Sequence, residues 1–171
     1  MSHPVAEDRP VEHGDALNLI RTAIAEAPGP EAAAQRAVEE LHDRFSHYDW
    51  VGIYWLSDDG RELLLGPWMG PQPTEHTRIP VGTGICGAAA ASGQTEIVDD
   101  VDADPRYLAC FASTRSEIVV PIFGDGSVVG EIDIDGSDVA AYTETDARFL
   151  EEVAALLAPL RPRTEGAVRP A

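Results

Sequence analysis

The chain has 171 residues, of which 44% are hydrophobic and 25% charged, a size and composition typical of one soluble globular domain. Its 30 acidic residues exceed its 12 basic ones and give a formal charge of -18, which argues against nucleic acid or an anionic membrane as a partner. No apolar run approaches the roughly 20 residues that span a bilayer, and the N-terminus lacks the apolar segment of a signal peptide, so we expect a cytoplasmic protein with reduced cysteines.

Both ends of the chain are predicted to be mobile tails around a single domain. Residues 1–13 and 161–171 mix proline and charge without a period, so the domain is expected to occupy residues 14–160. Its first helical stripe of apolar residues stops at Pro28, and Pro30 suits the first position of a second helix. We expect these two helices to pack on one face of a sheet or across a dimer interface.

The middle of the chain is predicted to begin with a β hairpin. From Tyr48 to Leu56 apolar residues occupy both alternating sets of positions, which indicates a strand with both faces covered. The segment Asp58–Gly60 then forms a turn, and residues 61–68 return as the partner strand. A short strand at 78–81 follows a loop.

The second half of the domain continues with a short helix and more strands. The glycines of Gly82–Gly84 open a helix of small residues, but they lack the third glycine of a dinucleotide-binding motif. The remaining predicted elements are strands at 96–98, 117–123 and 127–135 and a closing helix that Thr143 and Asp146 begin as a capping box. Two helices, about six strands and a final helix favour an α+β domain, with helices packed on a central antiparallel sheet.

Three acidic side chains are predicted to meet beside the last strand pair. Asp133 and Asp135 alternate with isoleucines, so both carboxylates project from one face of their strand, and Glu117 opens the neighbouring strand. If the three share a pocket, repulsion and burial would raise at least one pKa, leaving a neutral acid beside an ionised one. A solvated strand face in an acidic protein fits the same pattern equally well.

The two cysteines have different predicted surroundings. Cys86 stands at the N-terminal end of the small-residue helix, where exposed N–H groups favour a thiolate. Cys110 lies in an irregular segment before the strand of Glu117. Free cysteines are more often inert core residues, so neither thiol alone indicates a function. No histidine joins the acidic strands and no ligand spacing fits a closed zinc site, so we expect no metal.

An aromatic pair lies on the first strand. Trp50 and Tyr54 share one face of it, and such rings can hold a methyl or ammonium group in a cavity. More often a pair of this kind belongs to the core.

Six motifs occur in a characteristic order along the chain. They are DWVGIY at 49–54, LLLGPWMG at 63–70, IPVGTGICGAAAAS at 79–92, IVDDV at 97–101, SEIVVPI at 116–122 and EIDID at 131–135. Together they resemble the GAF domain family and, more narrowly, the free methionine-(R)-sulfoxide reductases that use this fold as an enzyme. The resemblance extends from about Asp49 to about Leu157.

The resemblance implies roles for particular residues. Cys86 falls on the cysteine of the family's GVCG motif, and Cys110 falls on the cysteine of its IACD motif. The positions that surround the substrate in the family fall on Trp50, Tyr54, Glu117, Asp133 and Asp135. The family further implies that the substrate is the free amino acid.

Two departures from the family pattern bear on this assignment. The family usually carries a third cysteine before the IPVGTG block, but that loop reads PQPTEHT here. Cys86 would therefore have to act as the resolving cysteine, which forms the disulfide with oxidised Cys110. The family's HIACD is replaced by Tyr107–Phe111, which puts aromatic residues in place of a polar His and Asp.

The expected chemistry needs two thiols and an acid. Cys110 would attack the sulfoxide sulfur while a neutral carboxyl from Glu117, Asp133 or Asp135 protonates the leaving oxygen. Cys86 would then condense with the sulfenic acid to a disulfide that a thioredoxin-like reductant reopens.

No metal or organic cofactor is expected, and a homodimer is the expected assembly. In so acidic a protein, local N–H groups or Arg115 would have to favour the thiolate. The alternatives are a non-catalytic GAF module that binds a small ligand and a thiol redox sensor.

Overall fold

The computed structural model describes residues 9–162 and the side chains of residues 12–162. The α helices within this range are α1 (Arg9–Glu26), α2 (Pro30–Arg44), α3 (Gly84–Ser92) and α4 (Glu144–Leu157). The strands are β1 (Trp50–Leu56), β2 (Glu62–Met69), β3 (Arg78–Pro80), β4 (Glu96–Val98), β5 (Ser116–Gly124) and β6 (Ser127–Gly136). Single 3-10 turns occur at Val101–Ala103 and Ala158–Leu160.

The strands form one sheet in the order β3-β2-β1-β6-β5-β4, and every neighbouring pair is antiparallel. The predicted fold class, an α+β domain with a central antiparallel sheet of about six strands, is therefore confirmed. The β5–β6 hairpin closes through Asp125 and Gly126, both of which have a positive φ, as a tight two-residue turn requires.

The two faces of the sheet have different neighbours. One face carries Val51, Ile53, Ile132 and Ile134 into a large core shared with α1, α2 and α4. The opposite face carries Trp50 and Tyr54 into a smaller cluster with α3. Because side chains alternate along a strand, the acidic residues between the isoleucines of β6 project toward α3.

Helix α1 begins at Arg9, so residues 9–13 of the predicted N-terminal tail are helical and continuous with the helix expected from residue 14. His13 is buried, stacks on Phe149 with ring centroids 4.3 Å apart, and lies 3.4 Å from a carboxylate oxygen of Asp146. At the other end Arg161, placed in the C-terminal tail by the sequence, donates a hydrogen bond to the Leu56 carbonyl oxygen at 2.7 Å.

The rest of both predicted tails, residues 1–8 and 163–171, lies outside the described residues. Within 9–162, no helix combines the length and the apolar character that a membrane crossing needs.

Candidate active site

Both cysteines border one narrow cavity between α3, the β5–β6 pair and the loop that precedes β5. Its lining includes His76, Cys86, Leu108, Cys110, Glu117 and Asp133. The interior has space for about one water molecule, so it is too small in this conformation for an amino acid.

Two glycines set the position of Cys86. Gly82 and Gly84 have φ values of +92° and +69°, which form the turn that starts α3. Gly87 then packs so closely that a Cβ atom there would lie 2.7 Å from the Pro80 carbonyl oxygen. As a result the first turn of α3 lies directly on the sheet, and the Cys86 side chain is buried against β5 and β6.

The acidic residues surround this thiol. The Cys86 Sγ lies 3.8 Å from Glu117 Oε1, and one ligand atom from each of Cys86, Glu117 and Asp133 falls within 4.8 Å of the others. Asp135 stands opposite Glu117 in the β5–β6 register. All three predicted acids are at most 5% exposed, which excludes the solvated strand face.

Glu131 is a further member of this group that the sequence analysis did not single out. It is fully buried, and neither of its carboxylate oxygens has a hydrogen-bond partner among the described residues. It lies two positions before Asp133 in EIDID, so the alternation that located Asp133 and Asp135 also places Glu131 on their face.

Burial favours the neutral form of these carboxyls. Burial, and next the charge of Asp133, raise the pKa values of Glu117, Glu131 and Asp135 well above the ordinary range. Burial raises the pKa of Asp133 as well, but hydrogen bonds from Glu117 and Cys86 oppose the shift. Asp133 is therefore the carboxyl best placed to carry the negative charge, with neutral acids beside it.

The surroundings of both cysteines raise their pKa values and so favour the thiol, contrary to the thiolate expected at Cys86. Burial, followed by the charge of Asp133, raises the Cys86 pKa far more than the start of α3 can lower it. Burial and the charges of Asp133 and Asp135 raise the pKa of Cys110 to about 12. Arg115 does not line the cavity and lies 3.8 Å from Asp102 on the surface.

Hydrogen bonds hold the segment that carries Cys110. The Tyr54 hydroxyl donates to the His76 carbonyl oxygen at 2.7 Å, and His76 Nε2 lies 3.2 Å from the Ala109 carbonyl oxygen. Tyr54 thus supports the loop beside the nucleophile candidate. The sequence placed His76 in a loop but had no spacing signal that linked it to Cys110.

Trp50 packs beneath the same segment. Its buried indole lies over Gly52 and Gly70, and its ring centroid is 5.8 Å from that of Phe111 and 6.2 Å from that of Trp68. The indole Nε1 has no hydrogen-bond partner among residues 9–162. Phe111, next to Cys110, therefore covers one side of the aromatic wall that the sequence assigned to a substrate.

Comparison with known proteins places these residues in a family context. The GAF domain family matches residues 29–159. Protein YtsP of Bacillus subtilis (strain 168) is 38% identical over 117 residues, which cover 68% of this chain and 71% of that protein. The free methionine-R-sulfoxide reductase of Escherichia coli (strain K12) is 35% identical over 125 residues, or 73% of each chain.

One solved structure is similar over nearly the whole chain. The free methionine-R-sulfoxide reductase from Neisseria meningitidis, in complex with its substrate, is 38% identical, with a TM-score of 0.83 and 94% of both chains covered.

Proposed function

The chain belongs to the GAF domain family, and from that premise we propose that it reduces free methionine-(R)-sulfoxide through Cys110 and Cys86. The observation that carries the proposal is the convergence of two thiols and two buried carboxyls on one cavity. Reduction of a sulfoxide needs a soft nucleophile for sulfur and a proton donor for oxygen, and these groups supply both.

The substrate adds a positive charge to an acidic cavity. Its ammonium group would lie near ionised Asp133 or near Asp135, and its sulfoxide oxygen would accept a hydrogen bond from a neutral carboxyl, with Glu117 the best placed donor. Backbone N–H groups at the start of α3 would receive the substrate carboxylate. The S-methyl group would lie against Trp50 once Phe111 moves aside.

The first chemical step transfers the oxygen atom to Cys110. Its sulfur forms a bond to the substrate sulfur as the oxygen is protonated, and the thiol proton passes to Asp133. The S–O bond of the substrate and the new sulfur–sulfur bond then break as the hydroxyl passes to the Cys110 sulfur, which yields methionine and a Cys110 sulfenic acid. Sulfur of the substrate is reduced by two electrons, and the cysteine is oxidised by two. A carboxyl that is neutral before the step assists because the leaving oxygen needs a proton at neutral pH.

The second step regenerates the thiol. Cys86 attacks the Cys110 sulfenic acid, water leaves, and a disulfide forms that an external dithiol reopens. The disulfide needs Cα atoms within about 7 Å, and movement of the Cys110 segment is part of this proposal. Because the cavity holds about one water molecule, the same movement would admit the substrate.

Three further features belong to the proposal. The reductant is a thioredoxin-like dithiol, because thiol–disulfide exchange with a dithiol is enough to reopen the Cys86–Cys110 disulfide. A reducing cytoplasm keeps both thiols available between turnovers. The active species is expected to be a homodimer, which light scattering would test.

A thiol-driven assay on the full chain tests the proposal. The wild type is expected to consume the R epimer of free methionine sulfoxide with dithiothreitol or thioredoxin, and Cys110→Ser to abolish consumption. Cys86→Ser should still complete one oxygen transfer and leave a sulfenic acid that a dimedone probe labels. Circular dichroism checks that both variants fold. Full activity of Cys110→Ser, or no turnover by the wild type with either reductant, would overturn the assignment.

The small cavity and the raised pKa values of the two thiols also suit a second candidate, a GAF module that binds a small ligand or senses oxidants without turnover. The same assay separates the two. Such a module would bind the sulfoxide or form a disulfide once and would release no methionine.

A further inference from the structure

The buried group around Cys86 has the dimensions of a metal site. One ligand atom from each of Cys86, Glu117 and Asp133 lies within 4.8 Å of the others, and the Cys86 Sγ to Glu117 Oε1 distance is 3.8 Å. In a tetrahedral zinc site, bonds of about 2.3 Å to sulfur and about 2.0 Å to oxygen separate the two ligand atoms by about 3.5 Å. A small inward shift would therefore bring these atoms to coordinating distance.

Unpaired oxygen atoms provide a second, independent observation. Both carboxylate oxygens of Glu131 and Oδ1 of Asp133 are buried without a hydrogen-bond partner in the part of the chain that is described. Glu131 is fully buried, and its carboxyl is close enough to the Cys86 thiol to contribute, after burial and Asp133, to the raised pKa of that thiol. Buried polar atoms without partners are costly, and a cation among them would pair with all of them at once.

We propose that Cys86, Glu117, Asp133 and Glu131 form a binding site for a zinc-like divalent transition metal ion. The thiolate selects this class of ion, because magnesium and calcium prefer ligand sets made entirely of oxygen. No motif spacing indicates this site, because its ligands come from α3, β5 and β6, which are far apart along the chain.

The charges of the ligands determine how many protons leave the site when the metal ion binds. A divalent ion is neutralised by the Cys86 thiolate and one carboxylate, while the other carboxyls stay protonated and offer neutral oxygen atoms. Binding therefore releases about one proton per ion, from the Cys86 thiol, because Asp133 supplies the carboxylate that is already ionised. Metal affinity should rise as pH rises, because each ligand must lose its proton before it can coordinate as an anion.

The site exists only while Cys86 is reduced. A sulfur committed to a disulfide cannot ligate as a thiolate, and a sulfur bound to zinc cannot attack a sulfenic acid. Here the inference rests on the proposed function: the ion would stop the reductase after the first oxygen transfer. Metal binding itself does not depend on that reaction.

A cobalt titration of the reduced full-length chain, without substrate, tests the site. Co²⁺ is expected to produce a sulfur-to-metal charge-transfer band in the near ultraviolet, and added Zn²⁺ should remove it. The two cysteines provide a matched pair: Cys86→Ser should abolish the band and Cys110→Ser should keep it. No band in the wild type, or a band that survives Cys86→Ser, would overturn the site.

A second pair of variants tests the oxygen ligand that the sequence analysis missed. Glu131→Gln is expected to weaken cobalt binding by about tenfold or more. Glu26→Gln, which removes an exposed carboxylate at the end of α1, should leave it unchanged. Equal affinities for the two variants would remove Glu131 from the site.

The cobalt band and the sulfoxide assay give separate answers. Cys110→Ser should have no reductase activity and still bind cobalt. A wild type that turns over the sulfoxide but gives no band would reject only the metal site.

Discussion

The imidazole Nε2 of His76 lies 3.2 Å from the carbonyl oxygen of Ala109, the residue before Cys110. This contact links the loop before β3 to the segment that covers the cavity. Its loss should let Cys110 open more often, because a typical hydrogen bond contributes about 1 kcal/mol. We expect His76→Ala to speed alkylation of Cys110 by iodoacetamide about fivefold, as measured by mass spectrometry. His42→Ala on α2 serves as the control, and equal rates for the two variants would show that the contact does not restrain the segment.

The raised pKa of Cys110 predicts a slow native thiol. With a pKa of about 12, only about one molecule in 10⁵ carries the thiolate at pH 7, against a few per cent for an ordinary cysteine. Alkylation in the native state should therefore be about 10³-fold slower than in urea. The rate should rise about tenfold per pH unit from pH 7 to 9. A plateau in that range would mean that the pKa is not raised.

In the absence of metal, the buried Glu131 side chain is expected to lower the free energy of unfolding at neutral pH. Its pKa is raised in the folded state, so the folded protein favours the protonated acid, and stability falls as pH rises above the ordinary carboxyl pKa toward the folded one. Replacement by an apolar residue of similar size removes this cost. Glu131→Leu should raise the free energy of unfolding by about 1 to 3 kcal/mol at pH 7 in chelator, with a smaller gain at pH 4. Urea unfolding measures both values, and a loss of stability at pH 7 would contradict the prediction.

Asp146 should give the opposite pH response. Burial opposes ionisation, but hydrogen bonds from His13, His47, Thr143 and Tyr48 hold its pKa below the ordinary value. A lowered pKa contributes stability above the ordinary carboxyl pKa of about 4, and this is lost as pH falls toward the folded value. Asp146→Ala should cost about 3 to 5 kcal/mol at pH 7. The variant's urea midpoint should then change less than that of the wild type between pH 5 and 3, and parallel acid responses would exclude this role.

Two glycines of one turn should respond differently to substitution. Gly84 and Gly82 both have a positive φ, so alanine strains either position by about 1 to 2 kcal/mol. At Gly84 the new Cβ would also lie 2.9 Å from the Leu108 side chain, whereas at Gly82 it would meet nothing within 4 Å. Only Gly84→Ala should therefore accelerate alkylation of Cys110. If Gly82→Ala accelerated it equally, strain in the turn rather than Leu108 would control access.

Much of this architecture could be predicted from the sequence because it depends on local signals. The alternation of β1 and β6, the Asp125–Gly126 turn and the capping box at the start of α4 each determine a local element. The same alternation indicated that acidic residues lie on one face of β6.

The features that local patterns could not supply depend on long-range packing. The contact of His76 with Ala109 joins residues 33 positions apart, and the burial of His13 depends on α4. The predicted Cys86 thiolate took account of the N-terminal end of α3 alone. It left out burial and the carboxyls that β5 and β6 bring against this thiol, which raise its pKa. Helix-end effects are modest, and desolvation beside buried acids exceeds them.

Strand β6 is central in the sheet and paired along most of its length on both sides. If it slipped by one residue, the β6 carboxyls of Glu131, Asp133 and Asp135 would enter the hydrocarbon interior, and Ile132 and Ile134 would face α3 in their place. A mispaired chain would thus lose its core and its chemistry together. A variant that keeps the correct pairing of β6 therefore also keeps its carboxyls beside α3. A shift in the β6 register should remove the core packing and the acidic site together.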